Sequence, residues 1–489
     1  MAINFRDIVE EARLTARAIT DFGAHLFDPT VRLGVTGLSR AGKTVFVTAL
    51  VHGLVRGGRF PVFEALASGR IAGARLSPQP DDAVPRFDYE THLHDLIAER
   101  RWPDSTTRLS ELRLMIDYQS LNGRTRTLTL DIVDYPGEWL LDLPLLSKSY
   151  EQWSAETLAL SRAGPRAKLA QEWHAHLQNL RPEGAEDEQA ALTAARLFTD
   201  YLRASRDERF AMSLLPPGRF LMPGDLAGSP ALTFAPLDVT PESSAPDHSL
   251  QAMMQRRYEA YKSAVVRPFF RDHFSLLDRQ VVLVDALAAF NAGPDAVRDL
   301  ERALEGILDC FRVGQRTFLS SMIRPRIDRI LFAATKADHM HHTSHDRLEA
   351  ILSRMTKRAA ERARFAGAAI DVVALAAVRA TREATVKQGR ETLPSILGVP
   401  AAGEAAGGET FDGRSETAIF PGDLPADADA LFSEAGDFRG LTAGEARDAD
   451  FRFLRFRPPA VEIAEDGTPA LPHIRLDRAL QFLIGDRLK

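Results

Sequence analysis

The chain has 489 residues, more than one hydrophobic core usually spans, so two or three structural units are expected. Hydrophobic residues at 45% and charged residues at 26% are ordinary globular values, and a net charge of −6 gives no general attraction to nucleic acid, so no such partner is expected. The single cysteine, Cys310, excludes an internal disulfide and a cysteine-based zinc site. Neither an apolar signal core nor a membrane-spanning run of about 20 apolar residues is evident, so we expect a cytoplasmic protein, with peripheral contact with the inner membrane left open.

An amphipathic helix is predicted over residues 5–27, where apolar residues recur at helical spacing. Further along the chain, apolar runs predict strands, and two of these runs flank Asn122-Gly123, a pair that readily takes the positive φ angles of a hairpin turn. Strands that alternate with helical segments indicate an α/β fold with a mostly parallel sheet. The predicted strands are 31–36, 110–118, 125–133, 280–285, 328–334 and 370–375.

The long stretch between Gly137 and Val281 carries helical apolar stripes, so we assign it to a helical insertion domain. Its Pro/Gly-rich part, 215–247, is expected to be an ordered loop or lid. Towards the C-terminus, the sequence predicts a flexible connector at 398–413, a strand with one basic face at 451–457, and a closing helix that contains Leu476, Leu480 and Leu483. The expected units are 1–137 and 280–397 for the sheet domain, 138–279 for the insertion, and 398–489 for an extension that packs on the sheet domain.

The strongest motif is GLSRAGKT at 37–44, between the first strand and a buried helix, which fits the phosphate-binding pattern G-x-x-x-x-G-K-[ST]. Glycines let the backbone approach phosphates closely, so that successive N–H groups and the helix N-terminus point at the anion. Lys43 supplies a cation to the β- and γ-phosphates, and the Thr44 hydroxyl is a magnesium ligand. A P-loop NTPase fold is therefore expected, with nucleotide contacts from Gly37, Leu38, Ser39, Arg40, Ala41, Gly42, Lys43, Thr44 and Val45.

A second motif, Asp134-Tyr135-Pro136-Gly137, directly follows the strand at 125–133. A carboxylate at a strand end can hold magnesium, and a glycine three residues later can turn its N–H towards the γ-phosphate. The pattern is weak alone because Asp and Gly are common in turns, but its position one hairpin after the phosphate motif strengthens it. A threonine that covers magnesium and γ-phosphate should precede the hairpin, and Thr106 is the candidate.

The third motif is Thr335-Lys336-Ala337-Asp338, a variant of the guanine-reading pattern N-K-x-D with threonine in place of asparagine. Asp338 can accept hydrogen bonds from the guanine ring N–H and its exocyclic amine, whereas adenine offers neither donor there. A site built to pair such groups can discriminate by about 10⁴ or more. Lys336 would lie along the base, and a capping loop with Ala377 and Val378 should follow the next strand. The alternative is an exposed Lys/Asp turn.

Two residues near these motifs have open assignments. Glu138 stands where Ras-like proteins have a water-orienting glutamine, and catalytic and structural roles for it are about equally favoured. Arg40 could stabilise charge on the β–γ bridge, although a side chain that points to solvent or to the neighbouring loops is favoured. With Lys43, Gly137 and Thr106, these residues are the catalytic candidates.

Histidines cluster after the third motif, at His339, His341, His342 and His345. The spacing of His341 and His345 is compatible with metal ligation on a helix. No carboxylate or cysteine set completes such a site, and the stretch is expected to open an exposed helix after the third motif. A solvated helix face is therefore favoured over a metal site.

Taken together, GLSRAGKT, DYPGEW and TKAD resemble the translation-factor-related class of P-loop GTPases, and more closely the YcjX-like family of bacterial stress-associated P-loop proteins. The resemblance extends over most of the chain, including Phe420-Pro421-Gly422-Asp423-Leu424-Pro425. It implies GTP/GDP binding, slow hydrolysis with Mg²⁺, and a link to phage-shock and envelope stress.

Three functions stay open. The first is a GTPase, whose turnover alone should be slow. The second is a nucleotide-controlled binding module that docks a protein partner through the helical insertion in one state only. The third is an ATPase or small-molecule kinase that uses the same phosphate loop.

Overall fold

The computed structural model describes residues 29–38, 40–240, 244–310, 327–365, 367–388, 391–406, 408–432, 438, 450–463 and 469–489. The helix expected at 5–27 and Ser39 of the phosphate motif lie outside these residues. Among the helices described, none combines the length and the apolar character that crossing a bilayer requires.

A seven-stranded sheet organises the fold, in the order β2-β3-β4-β1-β5-β6-β7. Strands β4, β1, β5, β6 and β7 are parallel neighbours, whereas β2, β3 and β4 pair antiparallel. The prediction of an α/β fold with a mostly parallel sheet is therefore confirmed. The strands are β1 Thr30–Gly37, β2 Ile71–Ser77, β3 Ser110–Gln119, β4 Thr125–Asp134, β5 Arg279–Val284, β6 Arg329–Ala334 and β7 Ala369–Ala374.

All six strands expected in this sheet are present, and β3 and β4 form the expected hairpin. In its turn, Gly123 has a φ of 75° and donates its N–H to the Ser120 carbonyl at 2.9 Å. The sequence analysis missed β2, which pairs with β3 at the sheet edge and has no buried residue. Its apolar residues Ile71, Ala74 and Leu76 are only partly buried and unevenly spaced, so no regular alternation reveals the strand in the sequence.

Helices cover both faces of the sheet. One face packs against α1, α3 and α14 in one hydrophobic cluster, and the other packs against the helices between β4 and β5 together with α11, α12 and α13. The helices are α1 Lys43–Arg56, α2 Glu64–Ala67, α3 Tyr89–Ile97, α4 Tyr150–Ser161, α5 Arg166–Leu169, α6 Gln171–Leu177, α7 Glu188–Arg206, α8 Gly218–Leu221, α9 Leu250–Tyr261, α10 Arg267–Asp272, α11 Ala286–Ala292, α12 Pro294–Cys310, α13 His345–Phe365 and α14 Leu476–Ile484.

The stretch between β4 and β5 consists, in its described residues, of helices, short 3₁₀ turns and loops joined by an isolated bridge. Its centre is aromatic: the Trp153 ring stacks on Tyr258 at 5.1 Å, and Trp173 contacts Phe198 at 4.9 Å. The same hydrophobic cluster continues into β5 and β6. This helical segment and the sheet therefore share one core. The Pro/Gly-rich part at 215–247 is ordered in its described residues, without a strand, as expected.

The C-terminal part differs from two expectations. Residues 398–413 do not form a plain connector, because they contain a small hairpin, and residues 451–457 form an extended loop with one isolated bridge, Pro400 to Phe456, instead of a strand. The backbone of Phe453 bonds to the Asn291 side chain in both directions, so it has no strand partner there. The closing helix α14 is confirmed. The smaller strands are β8 Arg382–Gln388, β9 Glu391–Gly398, β10 Ala405–Ala406, β11 Glu409–Thr410, β12 Thr417–Ile419, β13 Glu462–Ile463 and β14 Pro469–Ala470.

Within the helical segment, the backbone at Gly218 packs so closely against the backbone at Glu138 that only glycine fits there. A Cβ at Gly218 would lie 2.0 Å from the Glu138 carbonyl oxygen, and the Gly218 N–H donates to the buried Asp142 carboxylate at 2.6 Å. We expect Gly218→Ala to lower the free energy of unfolding by about 2 to 3 kcal/mol, because backbone has to move. Urea denaturation measures this change.

Gly306→Ala is the matched control, since Gly306 lies within α12 and a Cβ there meets nothing within 4 Å. Alanine in a helix interior should be neutral or stabilise by up to about 1 kcal/mol. Equal unfolding midpoints for the two variants would contradict the close packing at Gly218.

Candidate functional site

A cavity of about 650 Å³ opens where β1, β5, β6 and β7 end at their carboxyl termini. Its wall includes residues from the loops that follow these four strands, namely Arg40–Thr44, Asp285, Thr335–Lys336 and Leu375–Val378. Crevices outside the carboxyl ends of strands are the usual ligand sites of open parallel sheets, and this volume is typical of small-molecule pockets.

The glycine-rich loop at 37–44 connects β1 to α1 at one side of the cavity. Gly42 has a φ of 79°, and α1 begins directly after it at Lys43. The Lys43 ammonium donates to the Gly37 carbonyl at 3.2 Å, and the first turn of α1 has no acidic residue. The first N–H groups of a helix have no intrahelical partner and carry partial positive charge. This end of the cavity therefore attracts anions.

Three oxygen-bearing side chains meet beside Lys43. The Thr106 hydroxyl donates to Asp134 at 2.7 Å and lies 3.3 Å from the Thr44 hydroxyl. The other Asp134 oxygen, Oδ1, is buried without a hydrogen-bond partner. Burial raises the pKa of Asp134 to about 6, against the opposing effects of Lys43 and Thr106. A buried carboxylate with an unpartnered oxygen next to two hydroxyls fits Mg²⁺, which prefers oxygen ligands.

Residues of the third motif also line this cavity. Asp338 is buried and accepts the Ala380 N–H at 2.7 Å, and burial raises its pKa to about 6. Lys336 has a φ of 60° and pairs with Asp285 at 2.5 Å. The hydroxyl of Thr335 donates to the Val284 carbonyl at 3.3 Å.

Ala377 and Val378, the expected capping loop, line the same cavity as the third motif. The fold thus places the glycine-rich loop, the third motif and the loop that contains Thr106 around the same cavity. These residues lie far apart in the sequence.

Gly137 and Glu138 pack against the glycine-rich loop and the helical segment. A Cβ at Gly137 would lie 2.3 Å from the Gly37 carbonyl oxygen, so only glycine allows this approach. The Glu138 side chain is buried and forms an ion pair with Arg206 of α7 at 3.4 Å. This pairing holds the carboxylate towards α7.

Arg40 reaches towards the helical segment at the cavity mouth. Its guanidinium pairs with Glu208 at 2.6 Å, and Glu208 pairs with Arg455 at 3.1 Å. Arg455 in turn pairs with Glu404 at 2.6 Å. Burial, followed by the charges of Arg206 and Arg455, lowers the pKa of Arg40. This row of alternating charges joins the glycine-rich loop, the helical segment and the C-terminal part of the chain.

Comparison with known proteins assigns the chain to a protein family by its sequence. The model of the YcjX-like family, DUF463, matches residues 31–488. The chain belongs to the YcjX-like family. The protein named Ras-like GTPase YcjX from Escherichia coli strain K12 is 37% identical over 480 residues, which cover 94% of this chain and 97% of that protein.

The protein of the same name from Shewanella oneidensis strain MR-1 is 34% identical over 491 residues, with 94% of this chain and 95% of that protein covered. The resemblance to the YcjX-like family in the sequence is thereby confirmed. Both relatives extend over nearly the whole chain, so the match includes the helical segment and the C-terminal part as well as the sheet.

In this YcjX-like chain, several cavity residues were not found from the sequence. Asp285 follows β5 directly, and the pairing of Val284 with Ala334 sets it beside the third motif. A carboxylate at the end of a buried parallel strand was the signal for it. Glu208, Trp102 and the stretch 453–456 also line the cavity, but they come from distant segments without a motif. Only the tertiary fold brings them to it.

The four histidines divide into two pairs. His339 and His345 are buried, and the imidazole of His345 bonds to the Ala337 carbonyl at 2.9 Å. Ligation by the His341 and His345 pair does not fit this arrangement, since His345 is turned into the protein. His342 is exposed and contacts Glu383 at 2.9 Å. A carboxylate does lie beside the histidines, but it comes from a residue distant in the sequence.

The raised pKa of Asp134 can be tested through its effect on the free energy of unfolding. Its pKa of about 6 exceeds the ordinary 3.8, so the folded chain holds the proton more tightly than the unfolded chain does. The ionised carboxylate therefore costs stability, and this cost builds up as pH rises from about 4 to 6. Without Mg²⁺ and nucleotide, Asp134→Asn should raise the free energy of unfolding at pH 7.5 by about 1 to 2 kcal/mol.

Urea denaturation in EDTA at pH 7.5 and pH 5 measures this effect. At pH 5 the gain should be roughly half as large, because the folded wild-type chain then carries the proton. A gain of equal size at both pH values would contradict a raised pKa of Asp134.

Proposed function

We propose that this chain is a P-loop GTPase that binds GTP and hydrolyses it slowly with Mg²⁺. The observation that carries the proposal is a single cavity whose wall contains both an anion-attracting helix N-terminus and the buried carboxylate of Asp338. A guanine nucleotide has complementary groups at its two ends. The printed name of both relatives, Ras-like GTPase, supports the same reading.

In this proposal the phosphates occupy the end beside Lys43. The backbone of residues 37–45 and the Lys43 ammonium bind the β- and γ-phosphates. Thr44, Thr106 and Asp134 hold Mg²⁺, which when bound neutralises charge on the β- and γ-phosphate oxygens. The unpartnered Asp134 Oδ1 and the neighbouring hydroxyls support this ligand set.

The site would accelerate hydrolysis mainly by positioning the triphosphate and water and by stabilising the charge that develops in the transition state. As a water oxygen bonds to the γ-phosphorus, the bond from that phosphorus to the GDP oxygen breaks, and the proton that the water loses passes to a phosphate oxygen. Lys43 stabilises the charge that develops. The Gly137 N–H, next to the glycine-rich loop, is proposed as a γ-phosphate donor. Arg40 and Glu138 are already paired with Glu208 and Arg206, which favours positioning roles for both and accounts for slow turnover.

At the other end, Asp338 accepts hydrogen bonds from the guanine N1–H and the exocyclic amine. Adenine offers no such donors, so this buried carboxylate would keep only its bond from the Ala380 N–H and lose the pairing with the base, which is costly. The Lys336 stem lies along the base, held by Asp285, and Ala377 and Val378 cap it. Thr335, in place of the usual asparagine, bonds to β5 and not to the glycine-rich loop in this arrangement.

We also propose residues 138–279 as a helical insertion in the P-loop domain formed by 1–137 and 280–397, with 398–489 as an extension. The insertion begins at Glu138, directly after Gly137, and Arg206 of the insertion pairs with that residue. Glu208 of the insertion pairs with Arg40 of the glycine-rich loop. These contacts favour a nucleotide-controlled switch whose insertion docks a protein partner, in the cytoplasm or at the inner membrane during stress.

Removing the Lys43 ammonium tests the phosphate end. Lys43→Ala should weaken GTP and GDP binding by at least about 10²-fold, because a charge-assisted contact is lost at a buried site. Isothermal titration of the full chain with each nucleotide measures it. Lys357→Ala, at an exposed position of α13, is the matched control and should bind as the wild type does. Unchanged affinity in Lys43→Ala would remove the proposal.

Asp338→Asn tests the base end. Losing two bonds to an ionised acceptor should weaken GTP binding by about 10²- to 10⁴-fold and leave the weaker ATP binding unchanged. Xanthosine triphosphate has a carbonyl where guanine has its amine, so the new amide should restore binding. Competition with a fluorescent nucleotide gives the three affinities. Equal GTP and ATP affinities in the wild type would sink the guanine assignment.

A further inference from the structure

A group of nitrogen and oxygen ligands lies outside the cavity, just beyond the third motif. His341 and His342 follow that motif after two intervening residues, and Glu383 lies at the start of β8. One ligand atom from each of the three residues lies within 4.8 Å of the others. We propose that His341, His342 and Glu383 bind a divalent transition-metal ion of the Zn²⁺ class. This proposal does not depend on nucleotide binding.

The donor set fits zinc better than magnesium or calcium. Two imidazoles and one carboxylate form a common three-ligand zinc set, with water at the fourth position, whereas the harder cations prefer oxygen ligands alone. Around tetrahedral zinc, ligand atoms at about 2.0 to 2.1 Å from the metal lie roughly 3.3 Å apart. His342 and Glu383 are already 2.9 Å apart, so modest side-chain rotation brings the set to this geometry.

Local structure holds two of the ligands in place. The His341 Nδ1 lies 3.1 Å from the Thr343 hydroxyl and 3.5 Å from the Thr343 N–H, which it accepts, so these two contacts hold the ring against the turn. Residues 342–344 form a 3₁₀ turn, which fixes the backbone at His342.

A metal at this place would join two segments next to Asp338. The Asp338 carboxylate accepts from the Ala380 N–H, and its carbonyl accepts from the Thr381 hydroxyl, two residues before Glu383. His341 lies three residues after Asp338 on the other segment. The ion would therefore hold together the loops that orient Asp338.

Metal binding by the full chain without nucleotide tests the proposal. Zn²⁺ affinity is measured by competition with a chromophoric chelator, and Co²⁺ provides visible absorption bands that report tetrahedral nitrogen and oxygen ligation. His342→Ala and Glu383→Gln should each weaken Zn²⁺ binding by about 10- to 100-fold and abolish the Co²⁺ bands.

His94→Ala is the matched control. His94 faces Glu99 at 3.7 Å on the surface, an exposed histidine and glutamate pair that no third ligand among the described residues completes. This variant should keep the wild-type affinity and spectrum. An equal loss in all three variants, or none in His342→Ala and Glu383→Gln, would overturn the site.

A second measurement separates metal loss from misfolding. Zn²⁺ should raise the melting temperature of the wild-type chain and of His94→Ala, because a ligand that binds only the folded state stabilises it. It should not raise that of Glu383→Gln, whose melting temperature without metal should equal the wild-type value. A zinc-induced shift that persists in Glu383→Gln would contradict the proposal.

Discussion

The parallel pairing of β1 with its two neighbours is the constraint on which the cavity depends. Val35 lies opposite Asp134 on one side, and Gly37 lies opposite Leu283 on the other. Because β1 ends at Gly37, the glycine-rich loop begins next to the ends of β4 and β5, where Asp134 and Asp285 lie. A register shift of one residue would turn Asp134 to the other face of the sheet. The site therefore depends on backbone hydrogen bonds made well away from it.

Much of this arrangement could be predicted because local signals agree with the fold. Apolar runs located six of the seven central strands, and the motifs at their ends indicated Lys43, Asp134 and Asp338. These signals work because a buried parallel strand is apolar along its length, and the turn after it exposes its polar residues at one edge. Thr106 was found by its position before a strand, and the structure sets it against Asp134.

What could not be predicted depends on tertiary packing. The apolar residues of strand β2 are at most partly buried and unevenly spaced, so no alternation reveals the strand. Residues 451–457 alternate in sequence but form a loop in which Phe451, Phe453 and Phe456 are all buried. Alternation in a sequence indicates a strand only when one face meets solvent. Glu208 and Glu383 reach Arg40 and His342 from far along the chain, and nothing local to either residue marks it.

The row of charges at the cavity mouth has a consequence for how the molecule responds to its solution. Arg40, Glu208 and Arg455 are each close to half exposed, with side-chain exposures of 47%, 43% and 57%. Ion pairs at such positions weaken as added salt shortens the Debye length from about 8 Å at physiological strength towards 3 Å at 1 M. Concentrated salt should thus weaken these ion pairs and speed the exchange of a ligand bound in the cavity. The buried carboxylate of Asp338 is screened much less.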